Sequence, residues 1–241
     1  MRASPGTTGT TQGRVTGERS AVPAGGEKAP PGHEDCGTRC WRDPRDAQAP
    51  RDGVRFHILF VCTANICRSP LAERLARSAL GPCPALRISS AGTHARPGME
   101  MDRRAGNTLA RLGGDPAGFT SRLLTPRLVA DADLVLTATR RHRAQAVALH
   151  LAAATRTFTI AEFGALAQAV PPERILRHHD PVRRARALVE EARALRGLVR
   201  VDESDIDDPY GRSWLAYRMA GRTITRYLAA PLRLLTPPPD A

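Results

Sequence analysis

The stretch from Phe56 to Pro70 constrains the fold more than any other part of the chain. Phe56-His57-Ile58-Leu59-Phe60-Val61 is an apolar run of strand length. Ser69-Pro70 followed by Leu71-Ala72-Glu73-Arg74-Leu75-Ala76-Arg77 predicts a helix with Ser at the cap and Pro at its first position. Only residues 62–69 separate the two, so strand, tight loop and helix follow one another directly. The same alternation continues downstream. Strands are expected at 87–90, 132–137 and 157–159, and helices at 103–112 (closed by Gly113-Gly114), 141–149, 182–198 and 213–229. Strands alternating with helices imply an open, mostly parallel α/β sheet. Such sheets bind ligands at the carboxyl ends of their strands, which points to the loop after Val61.

The folded part is expected to begin near that strand. Residues 1–53 contain no Ile, Leu, Phe or Tyr, while Pro and Gly recur throughout, as in Pro30-Pro31-Gly32. Such a segment cannot bury enough apolar surface to offset its ordering entropy, so a disordered tail is expected there. His33, Cys36 and Cys40 are thiol and imidazole candidates for a metal, but they lack a fourth partner. The domain is expected to span 54–230, with a flexible tail over 231–241. No stretch approaches the roughly 18 consecutive apolar residues of a membrane span, and the N-terminus lacks the apolar middle of a secretory leader. These features imply a cytoplasmic protein without membrane association. Five cysteines at irregular spacing suit reactive or ligating thiols better than a disulfide scaffold.

The loop reads Cys62-Thr63-Ala64-Asn65-Ile66-Cys67-Arg68-Ser69. A loop that curls from a strand end into a helix N-terminus points successive N–H groups inward, and with the helix dipole these form a nest for a tetrahedral anion. The same positive field, with a guanidinium at Arg68, favours the thiolate of Cys62 and makes it a nucleophile. Arg68 can grip two phosphate oxygens through its planar fork, a geometry that Lys cannot reproduce. Taken singly, Cys62 and Cys67 could be small buried hydrophobes. A Cys, five residues, an Arg and a Ser between strand and helix is far more specific than a lone cysteine.

Phe60-Val61-Cys62-Thr63-Ala64-Asn65-Ile66-Cys67-Arg68-Ser69-Pro70 resembles the signature of the low-molecular-weight protein tyrosine phosphatases. The resemblance extends through Ser89-Ser90-Ala91-Gly92-Thr93 and Asp131-Ala132-Asp133-Leu134-Val135-Leu136 to Asp207-Asp208-Pro209-Tyr210-Gly211. It implies a three-layer α/β/α fold with a four-stranded parallel sheet and a Cys-x5-Arg phosphate-binding loop between first strand and first helix. The implied activity is hydrolysis of phosphotyrosine in protein substrates through a cysteinyl-phosphate intermediate, with no metal or other cofactor. Cys62 would be the nucleophile, Arg68 the clamp and Asp208 the general acid, with Asp207 its nearest competitor. Without the resemblance, Asp208-Pro209-Tyr210-Gly211 is only a turn signal. Thr63, Ala64, Asn65, Ile66, Cys67 and Ser69 would line the substrate oxygens, and Tyr210 would flank the ring. The resemblance also has Asn65 hold the loop and pair with Ser90, and Ser69 donate to the Cys62 sulfur. Cys67 would be the thiol that protects the nucleophile as a disulfide under oxidation.

Several positions depart from the family pattern. Ala64 stands where many relatives carry Gly, and Phe119 where some carry a histidine of the loop network, which implies weaker hydrogen-bond support for Asn65 and Ser69. Three rivals use the same loop. Arsenate reduction needs relay cysteines, and after Cys67 only Cys83 remains. Phosphoarginine hydrolysis goes with a small polar residue just before the second cysteine, where this chain has Ile66. A non-enzymatic phosphate-binding module would not need nucleophile, clamp and acid together. The net charge of +12 invites a nucleic-acid partner. Eight basic and seven acidic residues lie in 1–53, so +11 of the excess belongs to the remainder. No aromatic-interleaved basic face accompanies it, which argues against nucleic acid and for steering of phosphorylated substrates.

Overall fold

The structure, a computed structural model, describes residues 55–201 and 205–236. The tail expected over residues 1–53, its candidate ligands His33, Cys36 and Cys40, and residues 237–241 of the expected C-terminal tail all lie outside the described residues. Four strands form one parallel sheet: β1 (Phe56–Cys62), β2 (Leu86–Gly92), β3 (Leu134–Thr137) and β4 (Thr157–Thr159), in the order β2-β1-β3-β4. Every residue of β1 is buried, as a central parallel strand covered on both faces requires. The chain leaves β1 for β2 on one side and returns to β3 on the other. That reversal opens a crevice beyond the carboxyl end of β1, and residues 62–68 occupy it.

The helices are α1 (Arg68–Leu80), α2 (Arg103–Arg111), α3 (Pro126–Ala130), α4 (Arg140–Leu149), α5 (Ile160–Ala169), α6 (Pro172–Leu176), α7 (Pro181–Ala194) and α8 (Trp214–Leu235), with a 3-10 segment at Leu151–Arg156. They make two outer layers. Phe56, Ile58, Phe60, Leu134, Leu136 and Phe158 face α1, α5, α7 and α8 in the larger core. Leu59, Val61 and Val135 face Val129 of α3 and Ala146 of α4 in the smaller one. The inward face of α7, made by Val182, Ala185, Leu188 and Ala192, seals the larger core. This segment, whose role the sequence leaves open, therefore covers the sheet.

Three details differ from expectation. The helix cap is Cys67 rather than Ser69, and Cys67 makes no side-chain capping bond. Ser69 lies inside the first turn, where its hydroxyl is free for the neighbouring sulfur. The last helix does not end near residue 229 but continues through Pro231 to Leu235, with Leu234, Leu235 and Pro231 all buried. Arg184 Nη1 also donates to the Thr236 carbonyl at 3.1 Å. Residues 231–235 thus belong to the core rather than to a flexible tail, because two leucines at the helix end have apolar surface to cover. Finally, α5 starts directly after β4 on a capping box in which Thr159 and Glu162 satisfy each other's backbone N–H.

Candidate active site

The phosphate-sized loop is shaped from beneath by one side chain. Asn65, fully buried, has left-handed backbone (φ 55), which asparagine adopts more readily than other non-glycine residues. Its Nδ2 donates to Ser69 Oγ at 3.0 Å and to Ser90 Oγ at 2.8 Å, and its Oδ1 accepts from the Arg122 N–H at 2.9 Å. Both amide hydrogens and the amide oxygen of its side chain are engaged. Ser90 passes its own proton to Glu73 Oε2 at 2.5 Å, and Glu73 Oε1 meets Arg77 Nη2 at 2.9 Å. The end of β2 closes against the loop so tightly that a Cβ on Gly92 would lie 2.5 Å from the Thr63 carbonyl oxygen. The Cys62 and Thr63 carbonyls accept from the N–H groups of Thr93 and His94, both at 2.9 Å.

With the carbonyls turned outward, the N–H groups of residues 63–67 donate to no protein acceptor among the described residues. Five consecutive free donors at the start of α1 make an anion nest. Cys62 Sγ lies 2.9 Å from Ser69 Oγ. Arg68 is buried, and its Nη1 donates to the Ile206 carbonyl at 3.0 Å, while Nη2 donates to Thr63 Oγ1 at 3.3 Å and to Asp208 Oδ2 at 2.6 Å. Its Nε is buried without a hydrogen-bond partner among the described residues. A buried unpaired guanidinium N–H is costly unless an anion takes it. The residues thus fit a tetrahedral oxyanion held by loop N–H groups and Arg68, with the Cys62 sulfur beneath it.

The acid-bearing segment is tied down just before Asp208. Asp205 Oδ1 accepts from the Arg140 N–H at 2.8 Å, and the Ile206 N–H donates to the Ala138 carbonyl at 2.8 Å. Ile206 is buried, whereas Asp208 is half exposed. Asp208 Oδ1 accepts from the Tyr210 N–H at 3.2 Å. Asp207 is exposed, and the ion pair to Arg68 belongs to Asp208. Tyr210 stands at the mouth, 62% exposed. The structure therefore brings Cys62, Arg68, Ser69 and Asp208 into one cluster, with Asn65 and Ser90 below it.

The family model of the low molecular weight phosphotyrosine protein phosphatases matches residues 57–192, and the chain is 33% identical over 169 residues to the probable low molecular weight protein-tyrosine-phosphatase EpsP of Ralstonia solanacearum, covering 70% of this chain and 88% of that one. The chain belongs to the low molecular weight phosphotyrosine protein phosphatase family. It is also 39% identical over 92 residues to the low molecular weight protein-tyrosine-phosphatase Etp of Escherichia coli (strain K12), and this match covers 38% of the chain and 60% of that relative. Among solved structures, the YwlE arginine phosphatase from Geobacillus stearothermophilus superposes with a TM-score of 0.54 at 25% identity, covering 74% of this chain and 91% of that one.

The loop of this phosphatase-family chain is supported without a histidine in the Asn65 network. Phe119 lies beneath the Arg74 guanidinium, 5.8 Å from ring centroid to Cζ, and takes no part in the Asn65 network. The expectation of weaker support for Asn65 is corrected, since the Arg122 backbone, Ser90 and Glu73 complete the network without a histidine. Ala64 keeps ordinary backbone, and the left-handed residue is Asn65. Cys67 packs with Ala105 and Tyr217, and burial, reinforced by Asp102, pushes its thiol pKa up. Cys83 lies beyond the far end of α1, about 20 Å along the helix from the loop at 1.5 Å per residue.

Sequence reasoning did not single out Glu73, Arg122, His142 or Tyr217. His142 is buried between two threonines: Thr63 Oγ1 lies 2.9 Å from Nε2 and Thr139 Oγ1 lies 2.8 Å from Nδ1. Each hydroxyl already accepts one N–H, Thr63 Oγ1 from Arg68 and Thr139 Oγ1 from the His142 backbone, and a neutral ring donates to one of them and accepts from the other. Burial first, and then the Arg68 charge, lower the His142 pKa to about 4, so the ring is neutral near pH 7. Only a Thr three residues before a His marks this pair in sequence, and that pattern reads as an ordinary helix cap. The buried Tyr217 of α8 packs with Cys67 of the loop and Ala105 of α2.

Proposed function

We propose that this chain is a protein tyrosine phosphatase that hydrolyses aryl phosphate monoesters through a cysteinyl-phosphate intermediate. One observation carries the reading: a single buried guanidinium, Arg68, springs from the Cys62 loop and reaches Asp208 at 2.6 Å, so nucleophile and acid address the same small volume. The phosphoryl oxygens bind the N–H groups of Thr63, Ala64, Asn65, Ile66 and Cys67 together with Arg68, whose fork follows the equatorial oxygens as charge redistributes. Cys62 Sγ attacks phosphorus in line, and the electron pair of the breaking P–O bond leaves on the phenolic oxygen, which takes a proton from Asp208. Asp208 then accepts a proton from water as the water oxygen attacks phosphorus. The S–P electron pair returns to Cys62, helped by the Ser69 hydroxyl. Tyr210 flanks the substrate ring, and Ser90 holds Asn65 in place.

The substrates are phosphotyrosine-containing proteins. The apolar Ile66 side chain beside the loop suits a phenyl ring better than a guanidinium. The likeness to the YwlE arginine phosphatase makes phosphoarginine the second reading. We place the activity in the cytoplasm, where the thiols of Cys62 and Cys67 stay reduced. Hydrolysis of p-nitrophenyl phosphate without added metal tests the reaction. The wild type is expected to turn over and Cys62→Ser to give no hydrolysis; an inactive wild type, or an undiminished variant, overturns the proposal. Phosphotyrosine and phosphoarginine peptides compared at one pH decide between the two substrates.

A further inference from the structure

One surface next to the catalytic cluster combines exposed apolar side chains with positive charge. The first two turns of α8 leave Trp214, Leu215 and Met219 half or more exposed, while Tyr217, Ala220, Gly221 and Ile224 of the same helix are buried. Soluble proteins seldom expose several large apolar side chains side by side without a partner. The charge is as uneven as the apolar surface. From Pro209 to Thr236 the chain carries no Asp or Glu but five arginines, three of which (Arg212, Arg218 and Arg222) lie on or beside these turns. Arg218 stands over the Trp214 ring at 5.7 Å from its centroid, which holds the indole in place.

The face also runs on from the catalytic cluster. Only residues 209–213 separate Asp208 from Trp214, and Arg104 of α2 donates to the Arg212 carbonyl. The same helix is anchored to the phosphate loop, because the Asp102 N–H at its cap donates to the Ile66 carbonyl at 2.9 Å. A polypeptide whose phosphorylated side chain fills the loop must pass one rim or the other of this mouth.

We propose that the Trp214–Leu215–Met219 face with its arginines is a docking surface for the segment of the substrate protein that flanks the phosphotyrosine, and that it selects flanks rich in acidic residues with an aliphatic or aromatic anchor. The proposal rests on the phosphatase reading. Carboxylates in the flank meet the arginines of a helix that carries no Asp or Glu, and the anchor covers Trp214 and Met219. Aromatic side chains with neighbouring arginines are the usual energetic centres of such contacts. The electrostatic part acts on encounter and weakens with salt.

The test uses the full chain, p-nitrophenyl phosphate, and three phosphotyrosine peptides: one with Glu and Leu in the flank, one with Lys for Glu, and one with Ser for Leu. The acidic peptide is expected to exceed the Lys peptide about tenfold in kcat/KM at low salt, mainly through KM, with the gap narrowing at high salt. Arg218→Glu/Arg222→Glu is expected to reverse that preference. Trp214→Ala/Met219→Ala is expected to erase the advantage of Leu over Ser, and both double variants to keep p-nitrophenyl phosphate turnover within twofold. Equal kcat/KM on all three peptides, with p-nitrophenyl phosphate still hydrolysed, overturns the docking surface and leaves the phosphatase reading standing. Loss of p-nitrophenyl phosphate turnover in the wild type overturns both. A wild-type dimer in sedimentation that Trp214→Ala/Met219→Ala separates assigns the face to a second copy of the chain and overturns the proposal.

Discussion

Asn65 does with one side chain what a glycine-rich loop does with backbone freedom. Its left-handed conformation turns the chain under the nest, and its three hydrogen bonds hold that turn against Ser69, Ser90 and the Arg122 backbone. Asn65→Ala removes all three and leaves Cβ-bearing backbone at positive φ, so a stability loss of about 2 kcal/mol is expected from denaturant unfolding. A fall of at least about tenfold in p-nitrophenyl phosphate turnover should accompany it, because preorganised donors carry the transition-state charge. At Asp208 the informative comparison is between leaving groups. Asp208→Ala should slow aryl phosphates with basic phenols strongly and those with acidic phenols little; an equal loss on both removes Asp208 from the acid role. Cys62, Arg68 and Ser69 were legible in the sequence because one short loop holds them between a readable strand and helix. Asp208 was legible only through resemblance, since by itself it sits in a turn signal. His142 was not legible: its bond to Thr63 spans 79 residues and exists only once β1 and α4 meet.

At the scale of elements, β1, the following loop and α1 set the site, and the contact between α5 and α8 holds the outer wall. A Cβ on Gly164 of α5 would overlap the Tyr227 carbonyl of α8, so the helices approach as closely as backbone allows. Gly164→Ala is therefore expected to destabilise the fold by roughly 2–3 kcal/mol despite its gain in helix propensity. The check is chemical denaturation, in which an unchanged midpoint would mean that the two helices separate freely. The sequence concealed α5 for a related reason. A helix buried on nearly every side has no polar face, so the apolar pattern of Ile160–Ala169 shows no amphipathic period, and only the Thr159–Glu162 capping box announces it. The end of α8 was hidden by Pro231, which reads as a stop but here lies inside a helix that buried leucines carry onward.

For the molecule as a whole, two buried imidazoles tie stability to pH. His142 has its pKa lowered to about 4, and His57, buried and 2.6 Å from Ser89 Oγ, is also lowered, in both cases mainly by burial. The unfolded chain binds protons at these rings near pH 6.5, while the folded chain binds them only at lower pH. Protons are therefore taken up on unfolding within that window. Stability is fully present above about pH 6.5 and falls as pH drops toward 4, by on the order of 3 kcal/mol for His142. His142→Gln should flatten that slope in unfolding midpoints measured from pH 7 to 4, and parallel slopes would remove His142 as the cause. The sheet order places the crevice beside β1, but closing the site takes the far end of the chain, since the Arg68–Asp208 ion pair joins residues 140 positions apart. A buried guanidinium stripped of every counter-charge is expensive, so in the proposed reaction the substrate oxyanion takes up the counter-charge role that Asp208 fills here. On the phosphatase reading, entry is a handover, in which the guest takes over a bond between residues 140 positions apart and leaves Asp208 free to take up the proton it gives to the leaving group.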